Sequence, residues 1–184
     1  MHGPVIAASQ FRLRPPRPED AEPMIGWFED MEVTARISMR FPPSIEAERG
    51  WLQRLAEDRG AILWVVEHDG RAVGTTAIVG IDWANQHGTT GTLIGDKSLW
   101  GRGIAGELMR VRADFAFTQL TLRKLKSAFI DGNEASRRAQ LAAGYREVGR
   151  LREEIFRDGR WLDMVLTELH RTDWEHSHQE LTVS

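Results

Sequence analysis

The sequence predicts a mixed α/β domain on a largely antiparallel central sheet with at least one parallel crossover. Three observations predict it. Two hairpin signals, Asp69-Gly70 and Arg157-Asp158-Gly159-Arg160, each lie between runs of strand character, and tight turns of this kind join antiparallel neighbours. A strand-like run from Thr89 to Gly95 is followed by a helical run, Ile104 to Thr118, and by another strand, Leu125 to Ile130; that order requires a crossover. Finally, 184 residues with 41% hydrophobic and 28% charged side chains suit one soluble domain, 1–184, with a real core.

The elements follow in order. Residues 1–9 carry no pattern and are expected as a loosely ordered tail. Gln10 to Arg14 alternates and reads as a strand, stopped by Pro15-Pro16-Arg17-Pro18. Ala21, Met24, Ile25 and Phe28 share one helical face. After Phe41-Pro42-Pro43, Ser44 is a natural N-cap for a second helix that carries Trp51, Leu52 and Leu55. Ala61 to Val66 is a buried strand, and Ala72 to Val79 returns as its hairpin partner. Asp82 to Gly88 is turn-rich, and Thr89 to Ile94 is rich in β-branched residues. The following helix puts Ile104, Leu108, Val111 and Phe115 on one face. Asn133 caps a helix that Gly144 stops. Glu147 to Phe156 and Trp161 to Leu169 close the sheet, and Trp64 and Trp161 are expected in the core. The segment 172–184 is expected as a second loose tail.

Composition excludes several chemistries. The chain has no cysteine, so disulfides, thiol nucleophiles and thiolate-held metals are absent, and no metal site is expected. A formal charge of −3 lacks the clustered basic excess of a nucleic-acid footprint. No apolar run has the length of a membrane span, and the first residues lack the pattern of a signal peptide. No nucleic-acid or membrane partner and a cytoplasmic location are expected. The oligomeric state stays open, a homodimer included.

The chemistry concentrates in Trp100-Gly101-Arg102-Gly103-Ile104-Ala105-Gly106, where a strand turns into a helix. Glycines at such a turn leave backbone N–H groups aimed at a helix N-terminus, which suits phosphate. By itself the alternation also fits a bare structural turn. It is neither a Rossmann fingerprint nor a P-loop. One strand later comes Asn133-Glu134-Ala135-Ser136-Arg137-Arg138-Ala139-Gln140-Leu141-Ala142-Ala143-Gly144-Tyr145.

Together the two segments resemble the paired motifs of the GNAT acetyltransferase superfamily, over about residues 10–170. The first resembles the family's R/Q-x-x-G-x-G/A loop, with Trp100 where the pattern has Arg or Gln; the second resembles its Asn-led helix ending in Gly-aromatic. Trp-Gly-Arg-Gly-Ile-Ala, with Ser three residues after Asn, is most similar to the ribosomal-protein-alanine N-acetyltransferase-like branch.

The resemblance implies helices on both sheet faces, a splayed strand pair at the cofactor site, acetyl-CoA as co-substrate and a primary amine as acceptor. It implies that Leu93, Ile94 and Gly95 pair with the pantetheine arm, with an N–H near Leu93 or Ile94 as oxyanion donor. The loop of Gly101, Arg102, Gly103, Ile104, Ala105 and Gly106 would hold the pyrophosphate, with Arg102 as a candidate ion-pair partner. Asn133 would lie beside the pantetheine, and Ser136 would hydrogen-bond the departing sulfur. Many members carry a Tyr seven residues after the Asn; here that residue is Gln140. Many also carry a Glu in the strand before the loop; here that residue is Thr89. Asp82 and His87, at the strand start, are therefore the base candidates, beside their plainer reading as turn residues.

Acceptor specificity is expected from Met31 to Phe41, where Arg36, Met39 and Arg40 could face an anionic acceptor, and from Asp82 to Gly88, with Trp83. The expected activity is direct transfer of acetyl to a protein N-terminal amine or a small-molecule amine. The alternative is a non-catalytic acyl-CoA-binding regulatory module.

Overall fold

The computed structural model describes residues 1–182, with side chains through Ser177. Eight strands form one sheet in the order β1-β2-β3-β4-β5-β6-β8-β7. They are β1 (Ile6–Ala7), β2 (Arg12–Arg14), β3 (Ile62–His68), β4 (Arg71–Asp82), β5 (His87–Ile94), β6 (Lys124–Ile130), β7 (Arg146–Arg157) and β8 (Arg160–His170). The helices are α1 (Ala21–Glu29), α2 (Met31–Thr34), α3 (Ile45–Glu57), α4 (Ile104–Gln119), α5 (Glu134–Ala142) and α6 (Arg171–Thr182). No helix of the described residues is long and apolar enough to cross a membrane.

Local chemistry explains the joints. Asp69 and Gly70 sit at φ 48 and 75, and Asp158 and Gly159 at φ 50 and 76, the paired left-handed conformations that Asp-Gly supplies in a tight hairpin. Ser44 Oγ accepts from Ala47 N–H at 3.2 Å, capping α3. Asn133 Oδ1 accepts from Ser136 N–H at 3.1 Å, capping α5. On one face of the sheet Leu13, Trp64, Val73, Ile78, Leu108, Ala113, Leu125 and Leu169 form the main core. On the other, Met24, Leu52 and Leu55 of α1 and α3 cover Leu63 and Val65.

Every neighbouring strand pair is antiparallel except β5 and β6. These two run parallel and pair only at His87↔Lys124, Gly88↔Leu125 and Thr89↔Lys126. Beyond that point β5 stays with β4 as far as Ile94, and β6 stays with β8 as far as Ile130. The sheet therefore opens into a V. At its vertex side chains replace the ladder: Thr90 Oγ1 donates to Lys126 O at 3.0 Å and Ser127 Oγ donates to Thr90 O at 3.2 Å.

Several expectations need correction. Residues 1–9 are tied down: the Met1 ammonium donates to Leu55 O, Asp58 O and Ala61 O at 2.7, 2.6 and 2.8 Å, and Ile6–Ala7 pairs with β2. The segment after Arg171 is helical rather than loose, because Trp174 packs on Phe117 with ring centroids 5.6 Å apart and donates to Asp114 Oδ1 at 2.6 Å; residues 183–184 of that expected tail lie outside the described residues. Trp161 is not core: it is 60% exposed and rests on Phe156 at the tip of the β7–β8 hairpin. Val111 and Phe115 are only partly buried, and the centre of the buried face of α4 carries Arg112, Ala113 and Ala116.

Candidate active site

The V between β5 and β6 is bounded by two helix N-termini. α4 starts after the glycine turn that follows β5, and α5 starts after the turn that follows β6. Gly101 and Gly103 take φ of 76 and 79, a left-handed backbone that residues with a Cβ adopt at a cost. The first hydrogen bond of α4 runs from Glu107 N–H to Gly103 O at 3.2 Å. The N–H groups of Ile104, Ala105 and Gly106 are thus not used by the helix. A Cβ at Gly101 or Gly103 would meet only open space, so the turn is open outward. This cradle fits a pyrophosphate. Arg102 is exposed at its rim.

Trp100 replaces the Arg or Gln of the general loop pattern, and its indole Nε1 donates to Ile94 O at 2.9 Å. The bond ties the turn to the end of β5. The carbonyl of Ile94 is thereby taken, while its N–H remains on the open side. Gly95 N–H donates back to Val73 O at 2.8 Å. The ring of Trp27 lies directly on Gly95, where an added Cβ would come within 2.1 Å of it. Peptide groups alternate sides along a strand. Thr90 O faces β6, so Thr92 and Ile94 present their peptide groups to the opening and Leu93 presents its own to β4. Leu93 and the N–H of Gly95 therefore belong to the ladder, and Thr92 joins Ile94 at the opening. Counting by twos from Thr90 would have found Thr92.

On the opposite wall, Ser136 is half-buried one turn into α5. Its Oγ accepts from Gln140 Nε2 at 3.1 Å. Asn133 Nδ2 donates to Arg36 O at 3.4 Å, and Arg36 Nη1 donates to Gly132 O at 3.2 Å. Arg157 Nη2 donates to Ile37 O and Met39 O at 2.9 and 3.1 Å. The guanidinium of Arg40 lies 5.4 Å from the Phe41 ring centroid and 5.9 Å from that of Phe156. Residues 36–41 are thus strapped across the start of α5 and the tip of the β7–β8 hairpin. Tyr145, the lone tyrosine, is no proton donor for this opening: it is 2% exposed, with its hydroxyl 3.2 Å from Thr90 Oγ1.

Asp82 and His87 are not brought to this opening. They sit at the β4–β5 turn with Asp82 Oδ2 3.9 Å from His87 Nε2. His87 is five residues before Thr92, roughly 16 Å along a strand. Hydrogen bonds from the side chain and backbone of Asn85 hold the Asp82 carboxyl below the usual carboxylate range, which makes it a weaker base. The structure places the pair in the β4–β5 turn, fixed because Asp82 accepts from Asn85 N–H at 2.8 Å. Trp83 Nε1 donates to Arg59 O at 3.1 Å, covering the same end of the sheet. Among the described residues no three His, Asp or Glu side chains cluster to hold a metal.

A family model described as an acetyltransferase (GNAT) domain matches residues 10–146. The chain belongs to the GNAT acetyltransferase family. As a GNAT protein it is an N-acetyltransferase, and acetyl-CoA is its co-substrate. Among curated relatives, an uncharacterized N-acetyltransferase, YoaA of Bacillus subtilis, is 25% identical over 161 residues, 85% of this chain and 90% of the relative. The putative ribosomal N-acetyltransferase YdaF of the same organism is 27% identical over 125 residues, 68% of this chain and 67% of the relative. Among solved structures, the spermidine N-acetyltransferase of Vibrio cholerae, in complex with CoA and spermine, has the same fold at a TM-score of 0.84 and 20% identity, covering 91% of this chain and 99% of its own.

Proposed function

We propose that this GNAT protein moves an acetyl group from acetyl-CoA directly to a primary amine, with the N-terminus of a protein or peptide as the favoured acceptor. The opening of β5 from β6 beyond Thr89, flanked by the glycine cradle and by Ser136, carries the reading. When bound, acetyl-CoA supplies an activated acyl group and a thiol leaving group. Gly101 to Gly106 hold its pyrophosphate on unused N–H groups. The peptide group of Thr92 aligns the pantetheine as an added strand neighbour, since the carbonyl of Ile94 is held by Trp100. The Ile94 N–H is the candidate donor to charge developing on the carbonyl oxygen. Ser136 donates to the departing sulfur. The absence of cysteine fits direct transfer without an acetylated thiol.

The strap over the opening supports the choice of acceptor. Among the described residues Arg36, Arg40 and Arg157 find backbone carbonyls and aromatic rings as partners, not carboxylates. Three unneutralised guanidiniums attract an acceptor with negative charge near its amine and repel a polycation. YdaF is named a putative ribosomal N-acetyltransferase, which agrees with a polypeptide acceptor; the Vibrio cholerae relative in fold holds spermine, which the strap disfavours here. A cytoplasmic setting suits both donor and acceptor.

The test is CoA release from acetyl-CoA over a panel of acidic and neutral N-terminal peptides, spermidine and amino sugars. Turnover with acidic-start peptides above that with spermidine is expected. Turnover confined to polyamines would reject the acceptor class, and CoA binding without turnover on any amine would return the protein to an acyl-CoA-binding module.

A further inference from the structure

Gln140 stands where many GNAT members carry a tyrosine, and an amide cannot donate a proton to a thiolate. Its surroundings give it another task. Gln140 is 2% exposed, in the last turn of α5 and one turn beyond Ser136 on the same helix face. Its Nε2 donates to Ala128 O at 3.3 Å and to Ser136 Oγ at 3.1 Å. Its Oε1 accepts from Thr167 Oγ1 at 2.5 Å. Thr167 lies on β8 and is also 2% exposed.

These contacts have one consistent polarity. A backbone carbonyl can only accept, so the atom facing Ala128 O is the amide nitrogen, and the Thr167 hydroxyl must be the donor to Oε1. Hydrogen bonds then run from Thr167 to Gln140 and from Gln140 to Ser136. Since Ser136 Oγ receives a hydrogen from Gln140, its own O–H points elsewhere. No protein acceptor takes that hydrogen among the described residues.

We propose that Gln140, backed by Thr167, is a positioning residue that turns the Ser136 hydroxyl hydrogen out of the protein and toward the sulfur of CoA. This inference rests on the reading of Ser136 as donor to the leaving sulfur. In the transfer the amine nitrogen bonds to the acetyl carbon, the carbon–sulfur bond breaks, and its electron pair goes to sulfur. The amine's lost proton goes to solvent, and the thiolate, held by the Ser136 O–H, is protonated from solvent to leave as the thiol. Gln140 moves no proton. It fixes direction and polarises the serine, as linked hydrogen bonds do.

The thiolate itself is the reporter, and no acceptor is needed. The protein has no cysteine, so the pH-dependent ultraviolet absorbance of a thiolate in the complex with coenzyme A, read against the free protein, belongs to the ligand. A hydrogen bond donated to sulfur stabilises the thiolate and raises its fraction at a given pH. Ser136→Ala is expected to lower that fraction about tenfold, the equivalent of one pKa unit. Gln140→Leu should lower it severalfold and Thr167→Val less, while Thr167→Ser retains the wild-type fraction and Ser136→Ala/Gln140→Leu matches Ser136→Ala alone. CoA affinity, measured by calorimetry, should stay within about twofold throughout. If Ser136→Ala lowers the thiolate fraction but Gln140→Leu and Thr167→Val do not, the positioning role is overturned and Ser136 stands. If Ser136→Ala leaves the fraction unaltered, Ser136 is not at the sulfur and both readings fall. Should Gln140→Leu lose CoA binding through misfolding, Thr167→Val against Thr167→Ser decides: loss with rescue supports the chain, and equal behaviour of the two overturns it.

Discussion

Arg112 Nη1 donates to the carbonyl of Gly91 at 2.8 Å, from the core side of the strand that forms one wall of the active site. The same nitrogen reaches Thr76 Oγ1 and Thr92 Oγ1 at 2.7 and 2.8 Å, and Nη2 reaches Tyr145 Oη at 3.3 Å. Arg112 is 1% exposed, and among the described residues its partners are all neutral and its Nε has no partner. A buried cation without a carboxylate costs desolvation. Its position explains what it does instead: it grips β5 just past Thr89, where pairing with β6 ends.

The partners of Arg112 also satisfy one another. Thr76 Oγ1 donates to Gly91 O at 3.2 Å and lies 3.0 Å from Thr92 Oγ1. Arg112→Met, which keeps most of the volume, should therefore change unfolding free energy by less than about 1.5 kcal/mol. Arg112→Ala should lose about 3 kcal/mol or more by opening a cavity. Both should weaken CoA binding severalfold, since the free part of β5 loses its clamp. Urea unfolding and calorimetric titration with CoA check this. Equal destabilisation by Met and Ala would mean that the charge, not the volume, holds the core together.

Asp82 and His87 offer a control. Their place at the closed end of β5 predicts that Asp82→Asn and His87→Gln change kcat by less than about twofold, against the hundredfold scale on which removal of a general base is felt. The pH profile of kcat/KM for the His87→Gln variant should superimpose on that of the wild type. A lost limb in that profile would bring the histidine back into the reaction.

The elements legible in the sequence were those with local causes. Asp-Gly turns, β-branched runs, and the caps Ser44 and Asn133 each act within a few residues. The elements missed have distant causes. Ile6–Ala7 is a strand only because Leu13 and Arg12 lie opposite, and α6 is held by Arg171, which reaches Phe117 O at 2.5 Å and Leu120 O at 3.0 Å. The same split runs through the site. The glycine cradle announces itself in three residues of sequence. Nothing near Arg112 in the chain marks its role, because the groups that accept from it lie on β4, on β5 and at Tyr145, up to 36 residues away. Gln140 looked like the loss of a tyrosine because Thr167 and Ala128, which give it a role, stand on two other strands.

Gly103 has φ 79 and is the N-cap of α4. Gly103→Ala should cost about 1 kcal/mol in stability from the left-handed backbone alone, with CoA affinity reduced modestly, because its Cβ would meet only open space. Gly103→Glu adds a carboxylate at a helix N-terminus that must receive a pyrophosphate, so CoA binding should fall at least a hundredfold in calorimetry while the fold persists by circular dichroism. Retained binding would place the pyrophosphate elsewhere.

Glu48 supplies a prediction in pH. It sits on the buried side of α3, 4% exposed, and burial pushes its carboxyl above the ordinary range. No side-chain partner offsets that burial among the described residues. Below about pH 4, near the unfolded carboxylate value, Glu48 is protonated in both states and carries no charge penalty. As pH rises from there to the raised folded value, the unfolded chain gives up the proton while the native state keeps it, so stability falls; above the folded value the penalty is complete. Glu48→Gln removes this titration. The variant should be more stable than wild type at pH 7 and should lose that advantage below about pH 4. Paired urea melts at pH 3.5 and 7 measure the difference. An advantage that is the same at both pH values would mean that the gain comes from packing, and a less stable variant at pH 7 would mean that the carboxylate has a partner that offsets its burial.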